Sequence, residues 1–124
     1  MKATMGTSCD CPNPPGGVVT CGPDQAAYCS VDADGNLRSG CITLRAGSIK
    51  RFLKGDPDSV IEELSESLRI GMKVRAADLL QAELQRCIAE EQIDFRIEVP
   101  EIGILNVALP EMIRRRVARS GRAR

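Results

Sequence analysis

The chain has 124 residues, of which 43% are hydrophobic and 2% aromatic, and its formal net charge is zero. A chain of this length forms one domain of ordinary size, or one small domain with an appendage. The scarce aromatic residues argue against a surface that stacks nucleic-acid bases, and the complete lack of histidine argues against the commonest form of general acid–base catalysis.

The first eleven residues, MKATMGTSCDC, contain one lysine and no apolar central stretch. A secretory signal peptide needs a positively charged start followed by an apolar region of about 7–15 residues, so the sequence predicts none. No other segment is apolar and long enough to span a bilayer. We therefore expect a cytoplasmic protein that makes no contact with a membrane, in a reducing compartment that disfavours disulfides.

The first 45 residues are rich in proline and glycine and hold five of the six cysteines. Within them, the stretch 26–44 (AAYCSVDADGNLRSGCITL) predicts a β-hairpin, because the residues Asp-Gly-Asn at 34–36 supply turn chemistry. Centring the turn on Gly35 places Cys29 directly opposite Cys41, with the two Cβ atoms about 4.5–5.5 Å apart. Two thiols in that arrangement can share one metal ion or close a disulfide.

The cysteine spacing is C-x-C, followed by single cysteines after nine, seven and eleven further residues. Structural zinc sites take four thiolate or imidazole ligands in a tetrahedron, and this chain has no imidazole. We therefore predict a zinc-ribbon-like module with a structural zinc ion, whose binding energy stabilises a loop with little hydrophobic surface. The predicted ligands are Cys9, Cys11, Cys29 and Cys41, with Cys21 as the alternate for either member of the C-x-C pair.

Zinc is not the only state that these cysteines allow. In a disulfide framework, the five cysteines of this segment leave one unpaired. An iron–sulfur cluster also takes four thiolates, although the spacing differs from that of ferredoxins, and reduced free thiols are the remaining alternative. The sixth cysteine, Cys87, lies on the apolar face of a predicted helix, so we expect it to be a buried core thiol.

Residues 46–113 have the patterning of an ordinary globular region. The stretch 56–71 (DPDSVIEELSESLRIG) predicts a helix with an aspartate at its N-cap and a glycine at its end. A second amphipathic helix is predicted over 73–92, and the short link between the two favours an αα-hairpin.

Two strands are predicted after the helices. Residues 93–99 (IDFRIEV) alternate strictly between apolar and polar, as a half-buried strand does. The more apolar segment Ile102–Leu109 predicts a second strand with two possible roles. It is either an exposed edge that pairs with a protein partner or with a second copy of the chain, or a central strand of the core. The predicted fold class is α+β: the cysteine-rich hairpin module, then the αα-hairpin and a small antiparallel sheet.

Residues 114–124 carry six arginines and no acidic residue, whereas the other 113 residues carry eleven basic and seventeen acidic side chains, a net charge of −6. A solubilising terminus is the simplest interpretation of such a tail. It also has the composition of a patch that binds phosphate groups or an acidic partner, although the acidic body repels nucleic acid. The candidate contact residues are Arg114, Arg115, Arg116 and Arg119.

The chain has no nucleophile motif, no phosphate-binding glycine loop and no histidine, so we expect no enzymatic activity. We predict three parts: a cysteine-rich module at 1–45, an α+β region at 46–113 and a basic tail at 114–124. The predicted function is that of a zinc-stabilised interaction protein, an adaptor or accessory subunit of a larger complex. Two alternatives stay open: a nucleic-acid-binding regulator that uses the arginine tail, and a secreted protein stapled by disulfides.

Overall fold

The structure is a computed structural model that describes residues 6–11 and 17–114. These residues form six strands and three helices, in the order β1 (Thr7–Asp10), β2 (Val18–Cys21), β3 (Gln25–Val31), β4 (Leu37–Thr43), α1 (Ala46–Leu53), α2 (Asp58–Leu68), α3 (Val74–Ala89), β5 (Asp94–Val99) and β6 (Gly103–Ala108). Residues 111–114 are again helical. The predicted α+β class is therefore confirmed. None of the helices in the described ranges is long and apolar enough to cross a membrane.

The strands form two antiparallel sheets. One contains β1 and β2, and the other has four strands in the order β4-β3-β6-β5. Because β3 pairs with β6, the larger sheet takes strands from both sides of the predicted boundary at residue 45. The cysteine-rich segment and the α+β region therefore share one sheet, and residues of β3 and β4 belong to the same core as the helices.

The two faces of the four-stranded sheet are covered by different parts of the chain. Side chains alternate between the faces along a strand. On β3, Ala26 and Tyr28 pack with the core that includes the helices, whereas Ala27 packs with a smaller cluster beneath the β1–β2 hairpin. That smaller cluster consists of Cys9, Cys21, Ala27 and Ala108, with Val19 packed against it.

The main core lies between the helices and the larger sheet. Leu64 of α2 and both Leu80 and Leu84 of α3 have no exposed area, as expected where apolar residues recur at helical spacing. From the sheet, Ile97 and Leu105 are each 1% exposed. The strand alternation and the two helical stripes thus direct their apolar residues into one core.

Helix α1 is not predicted by the sequence. It has eight residues, of which only Ser48 and Ile49 are buried, so its apolar pattern is too short to stand out. Polar contacts join it to α2 instead. The Ser48 hydroxyl donates to the Glu63 carboxylate, which also accepts the backbone amide of Arg45 at 3.0 Å.

The β3–β4 hairpin forms where it is predicted, but its register differs by two residues from the prediction. Cys29 pairs with Ser39, and Cys41 pairs with Ala27. Because side-chain direction repeats every two residues, this shift keeps both cysteines on one face of the sheet. They are no longer directly opposite each other, so the arrangement expected for a shared metal ion or a direct bridge is not formed.

The turn is centred on Asp34 and not on Gly35, and the reason lies in the hydrogen bonds of Asp32. The amide of Gly35, which has a φ of +88°, donates to the carbonyl oxygen of Asp32 at 2.9 Å. A type I turn followed by a left-handed residue is a common three-residue hairpin loop. The Asp32 carboxylate also accepts the amides of Asp34 and Asn36 at 2.9 Å each, and the bond from Asn36 is the main cause that lowers the pKa of Asp32.

Strand β6 occupies most of the segment Ile102–Leu109, for which the sequence allows two roles. It lies between β3 and β5, so both of its edges are paired within the chain. Leu105 and Val107 are each 1% exposed. This segment is therefore a central core strand and has no free edge to offer to a partner. That the chain binds a protein partner stays a prediction.

Candidate functional site

Four of the six cysteines form two disulfides. Cys11 is bonded to Cys29 and Cys21 to Cys41, with Cα atoms 5.0 Å and 5.7 Å apart respectively. Cys11 follows β1 and Cys21 ends β2, whereas their partners lie in β3 and β4. Each bond therefore joins the two-stranded hairpin to the four-stranded sheet.

The prediction of a structural zinc ion is wrong. Zinc binds cysteine as the thiolate, and a sulfur atom in a disulfide bond has no thiolate to offer. Four of the five candidate ligands are held in disulfides, and only Cys9 retains a thiol. Within 6–11 and 17–114, no group of three or more Cys, Asp, Glu or His side chains is arranged to hold a metal ion. The predictions of a zinc-ribbon-like module and of a zinc-stabilised adaptor both depend on this ion, so they are wrong as well.

The two free thiols are both buried. Cys87 is 1% exposed in the main core, which confirms its prediction as a core thiol. Cys9 lies in β1, is 7% exposed and belongs to the small cluster. Burial raises the pKa of its thiol to about 11, and the carboxylates of Asp94 and Asp10 make a smaller contribution. A thiol that stays protonated is a weak nucleophile, so neither position is suited to thiolate chemistry near neutral pH.

The Cys9 thiol is expected to make the protein less stable at alkaline pH. Its pKa rises from an ordinary value of 9.0 to about 11 on folding, so between these values the unfolded chain binds fewer protons than the folded chain, and stability falls as pH increases. Urea unfolding below pH 9 and above pH 11 measures the loss. Over this pH change, the loss of unfolding free energy in a Cys9→Ala variant should be smaller than that of the wild type by up to roughly 3 kcal/mol. Equal losses in the two proteins would contradict the assignment.

A cleft beside Cys9 contains the first residue of the predicted arginine patch. The Arg114 guanidinium forms an ion pair with Asp94 and lies 3.9 Å from the Glu111 carboxylate. Its charge is therefore already matched by carboxylates of the chain itself. Arg115, Arg116 and Arg119 lie outside the described residues, so phosphate binding by this patch stays a prediction, and a salt titration of nucleic-acid binding would test it.

A groove of about 430 Å³ opens at the end of the larger sheet where the β3–β4 and β5–β6 turns lie, and the α2–α3 connection forms its other wall. Its floor is apolar, and charged side chains of both signs line its rim. The residues that matter for recognition are Tyr28, Leu68, Met72 and Leu105 on the floor and Arg38 and Lys73 at the rim. A concave apolar site with a few polar groups is the usual form of a binding pocket.

The groove is shaped by a contact between β4 and the α2–α3 connection. The Arg38 guanidinium donates to the carbonyl oxygen of Ile70 at 3.1 Å. Gly71, the next residue, has a φ of +85°, which turns the chain after α2 as the sequence predicts. The sequence does not predict the groove, because its two walls are about thirty residues apart along the chain, from Arg38 to Ile70.

Comparison of the chain with known proteins gives no match, whether to a family model, to a curated protein or to a solved structure. The features that bear on function are therefore those of this chain alone. Within residues 6–11 and 17–114 they are two disulfides that fasten the hairpin, two buried thiols and an apolar groove with a charged rim.

Proposed function

We propose that this chain is a disulfide-stapled, non-enzymatic binding protein of an oxidising compartment. The observation that carries the proposal is the placement of the two disulfides, both of which connect the β1–β2 hairpin to the larger sheet. An isolated two-stranded hairpin is marginally stable in water. The cluster beneath this hairpin contains only cysteine, alanine and one valine, so the covalent links supply much of what holds it in place.

The same placement favours an oxidising compartment over the cytoplasm. Structural disulfides persist in secreted and extracellular proteins, whereas cytosolic thiol systems keep cysteines reduced. A reduced form of this chain would keep the main core but would hold the hairpin only through a small apolar cluster and a few hydrogen bonds, such as that from the Asn106 side-chain amide to the carbonyl oxygen of Asp10. The secreted, disulfide-stapled alternative of the sequence analysis therefore fits the fold better than the cytoplasmic expectation.

The binding function is favoured over catalysis by the chemistry of the side chains. The chain has no histidine, and burial raises the pKa of both free thiols, Cys9 and Cys87. A nucleophile needs either a lowered pKa or an adjacent base. A concave apolar site such as the groove is the usual form of a binding pocket, and the neighbouring residues Ile70 and Val74 are 66% and 79% exposed.

The disulfide state of the native protein tests the proposal. Protein isolated from its own compartment, with free thiols alkylated before lysis, should give two cross-linked peptide pairs by mass spectrometry: Cys11 with Cys29 and Cys21 with Cys41. Cys9 and Cys87 should carry the alkyl group after denaturation. Folded protein with all six cysteines alkylated would overturn the proposal, and so would a different pairing.

A Cys87→Ala variant provides the matched control for this mapping. Cys87 forms no disulfide, so both cross-linked pairs should persist in this variant. Loss of either pair would mean that the pairing in the native protein involves Cys87, contrary to the proposal.

A further inference from the structure

Five of the six cysteines lie together, between the β1–β2 hairpin and the four-stranded sheet. Two disulfides use four of them, and the thiol of Cys9 is left over. Cys9 belongs to the small cluster with Cys21, Ala27 and Ala108. The odd thiol is therefore in the same layer as both disulfides. The other free cysteine, Cys87, lies in the main core on the opposite side of the sheet.

Cys9 lies next to the disulfide between Cys11 and Cys29. The amide of Cys11 donates to the carbonyl oxygen of Gly17 at 2.9 Å, which continues the hairpin beyond β1 as far as Cys11. Side chains two positions apart in a strand point to the same face, about 7 Å from each other. From the sheet, the backbone amide of Cys29 donates a hydrogen bond to the sulfur atom of Cys9. The free thiol is therefore beside the cysteine to which Cys11 is bonded.

A thiolate at Cys9 can exchange with a disulfide of Cys29 without an oxidant or a reductant. The Cys9 sulfur attacks the Cys29 sulfur, so that the new S–S bond forms while the old one breaks, and the former partner of Cys29 leaves as a thiolate. When the thiolate of Cys11 then attacks Cys29, the Cys9 thiolate is expelled and takes a proton from water. The number of disulfides stays the same in both steps.

The cysteine content creates a need for such exchange while the chain folds. The four cysteines that form the disulfides can pair in three ways, and one of these is the native pairing. In each of the other two, all four sulfur atoms are already bonded. Cys87 is 1% exposed once the main core has formed, so it is not accessible to a wrong bond. Cys9 is then the thiol that remains to attack it.

We infer that Cys9 is an intramolecular exchange thiol, which rearranges wrongly paired disulfides during folding and is silenced when the hairpin packs on the sheet. The inference rests on the proposed disulfide-stapled state and adds the route by which the chain reaches it.

The silencing follows from the surroundings of Cys9 in the folded protein. Burial and the carboxylates of Asp94 and Asp10 raise the pKa of the thiol from 9.0 to about 11, although the charge of Arg114 opposes the shift. Below pH 9.0 the thiolate fraction therefore falls about a hundredfold on folding. Because the thiolate is the attacking species, the native disulfides are protected from the thiol that helped to form them.

Refolding from a scrambled state tests the inference. The chain is oxidised in urea, which mixes the pairings, and the urea is then removed at mildly alkaline pH without added thiol. Recovery of the native pairs should be at least about tenfold slower in Cys9→Ala than in the wild type. The reason is that an intramolecular thiol has an effective concentration near millimolar, far above that of a thiol on another molecule in a micromolar sample.

The pairing is read by mass spectrometry after the free thiols have been alkylated in acid, which stops the exchange. The protease must cut between Cys9 and Cys11, and one that cleaves before aspartate does so at Asp10.

Two controls separate exchange from a general folding defect. Cys87→Ala removes the other free thiol and should recover the native pairs as fast as the wild type. Millimolar reduced glutathione supplies an external exchange thiol, so it should bring Cys9→Ala to the wild-type rate.

A second variant tests the reach of Cys9 directly. In Cys11→Ala, Cys29 loses its partner, and the oxidised protein should contain a Cys9–Cys29 disulfide in its place. With Cys9→Ala added to this variant, Cys29 should be recovered as an alkylated thiol.

Four results would overturn the inference. They are equal recovery rates in Cys9→Ala and the wild type, equal slowing by Cys87→Ala, slow recovery of Cys9→Ala that glutathione does not relieve, and an unpaired Cys29 in Cys11→Ala. Failure here leaves the native pairing intact and changes only the route to it. Failure of the proposed function instead appears as the wrong disulfide state in the mapping experiment.

Discussion

A variant in which Cys21 and Cys41 are both replaced by alanine is expected to lose about 3 kcal/mol of unfolding free energy. This disulfide joins residues 20 positions apart, and the bond from Cys11 to Cys29 spans 18. A cross-link of that length restricts the unfolded chain and so disfavours unfolding, and removal of the other pair should have a similar effect. Urea unfolding without reductant measures both losses.

The loss should be local as well as global. Both disulfides fasten the β1–β2 hairpin, whereas β5 and β6 belong to the sheet that packs on the helices. Without either bond, amides of the hairpin should exchange rapidly while those of β5 and β6 stay protected. A Cys9→Ala variant is the control, because Cys9 forms no disulfide and should cost only about 1 kcal/mol. Cysteine-pair variants within about 0.5 kcal/mol of the wild type would contradict the structural role of the bonds.

Gly103→Ala is expected to destabilise the protein by about 4 kcal/mol, a size reached by few single substitutions. Gly103 has a φ of +91°, which costs a residue with a Cβ about 1–2 kcal/mol. A Cβ at this position would also overlap the carbonyl oxygen of Val31 and lie 2.8 Å from the carbonyl carbon of Asp32. These are backbone atoms at the end of β3, so the Cβ fits only if the β3–β6 pairing opens there.

Two other glycines separate the causes of this effect. Gly35 has a similar φ of +88°, but a Cβ there meets no atom within 4 Å, so Gly35→Ala should cost only the conformational part, about 1–2 kcal/mol. Gly47 lies in α1, has ordinary φ and open space around it, and Gly47→Ala should stabilise by up to about 1 kcal/mol. Thermal or urea unfolding of the three variants gives the comparison. A Gly103→Ala loss no larger than that of Gly35→Ala would show that the overlap is relieved cheaply.

The disulfides and the groove lie on different sides of the larger sheet. Cys29 faces the hairpin, whereas Tyr28 and Leu105 face the helices and form part of the groove floor. Because neighbouring residues of a strand point to opposite faces, β3 contributes side chains both to the groove and to the disulfide-linked side of the sheet. The disulfides can therefore be removed without deleting any side chain of the groove, and stability and binding can be measured as separate properties.

The regular elements with long, periodic patterns follow from the sequence. Strand β5 forms at Asp94–Val99 and helix α3 at Val74–Ala89, each within the predicted stretch, because strict alternation and helical spacing are local properties of the chain. Strands β1 and β2 have four residues each, too few to show a pattern. They pair with each other, and two disulfides fasten the hairpin that they form to β3 and β4.

What the sequence determined by itself is therefore the elements with long periodic patterns, the acidic body with its basic tail, and the burial of Cys87. What only the tertiary structure decided is which groups meet. The pairing of the cysteines depends on distances in space, which their spacing along the chain does not fix. The register of the β3–β4 hairpin follows from hydrogen bonds to one carboxylate, that of Asp32. The groove exists because the guanidinium of Arg38 and the carbonyl of Ile70, 32 residues apart, are brought together by the packing of helices on a sheet.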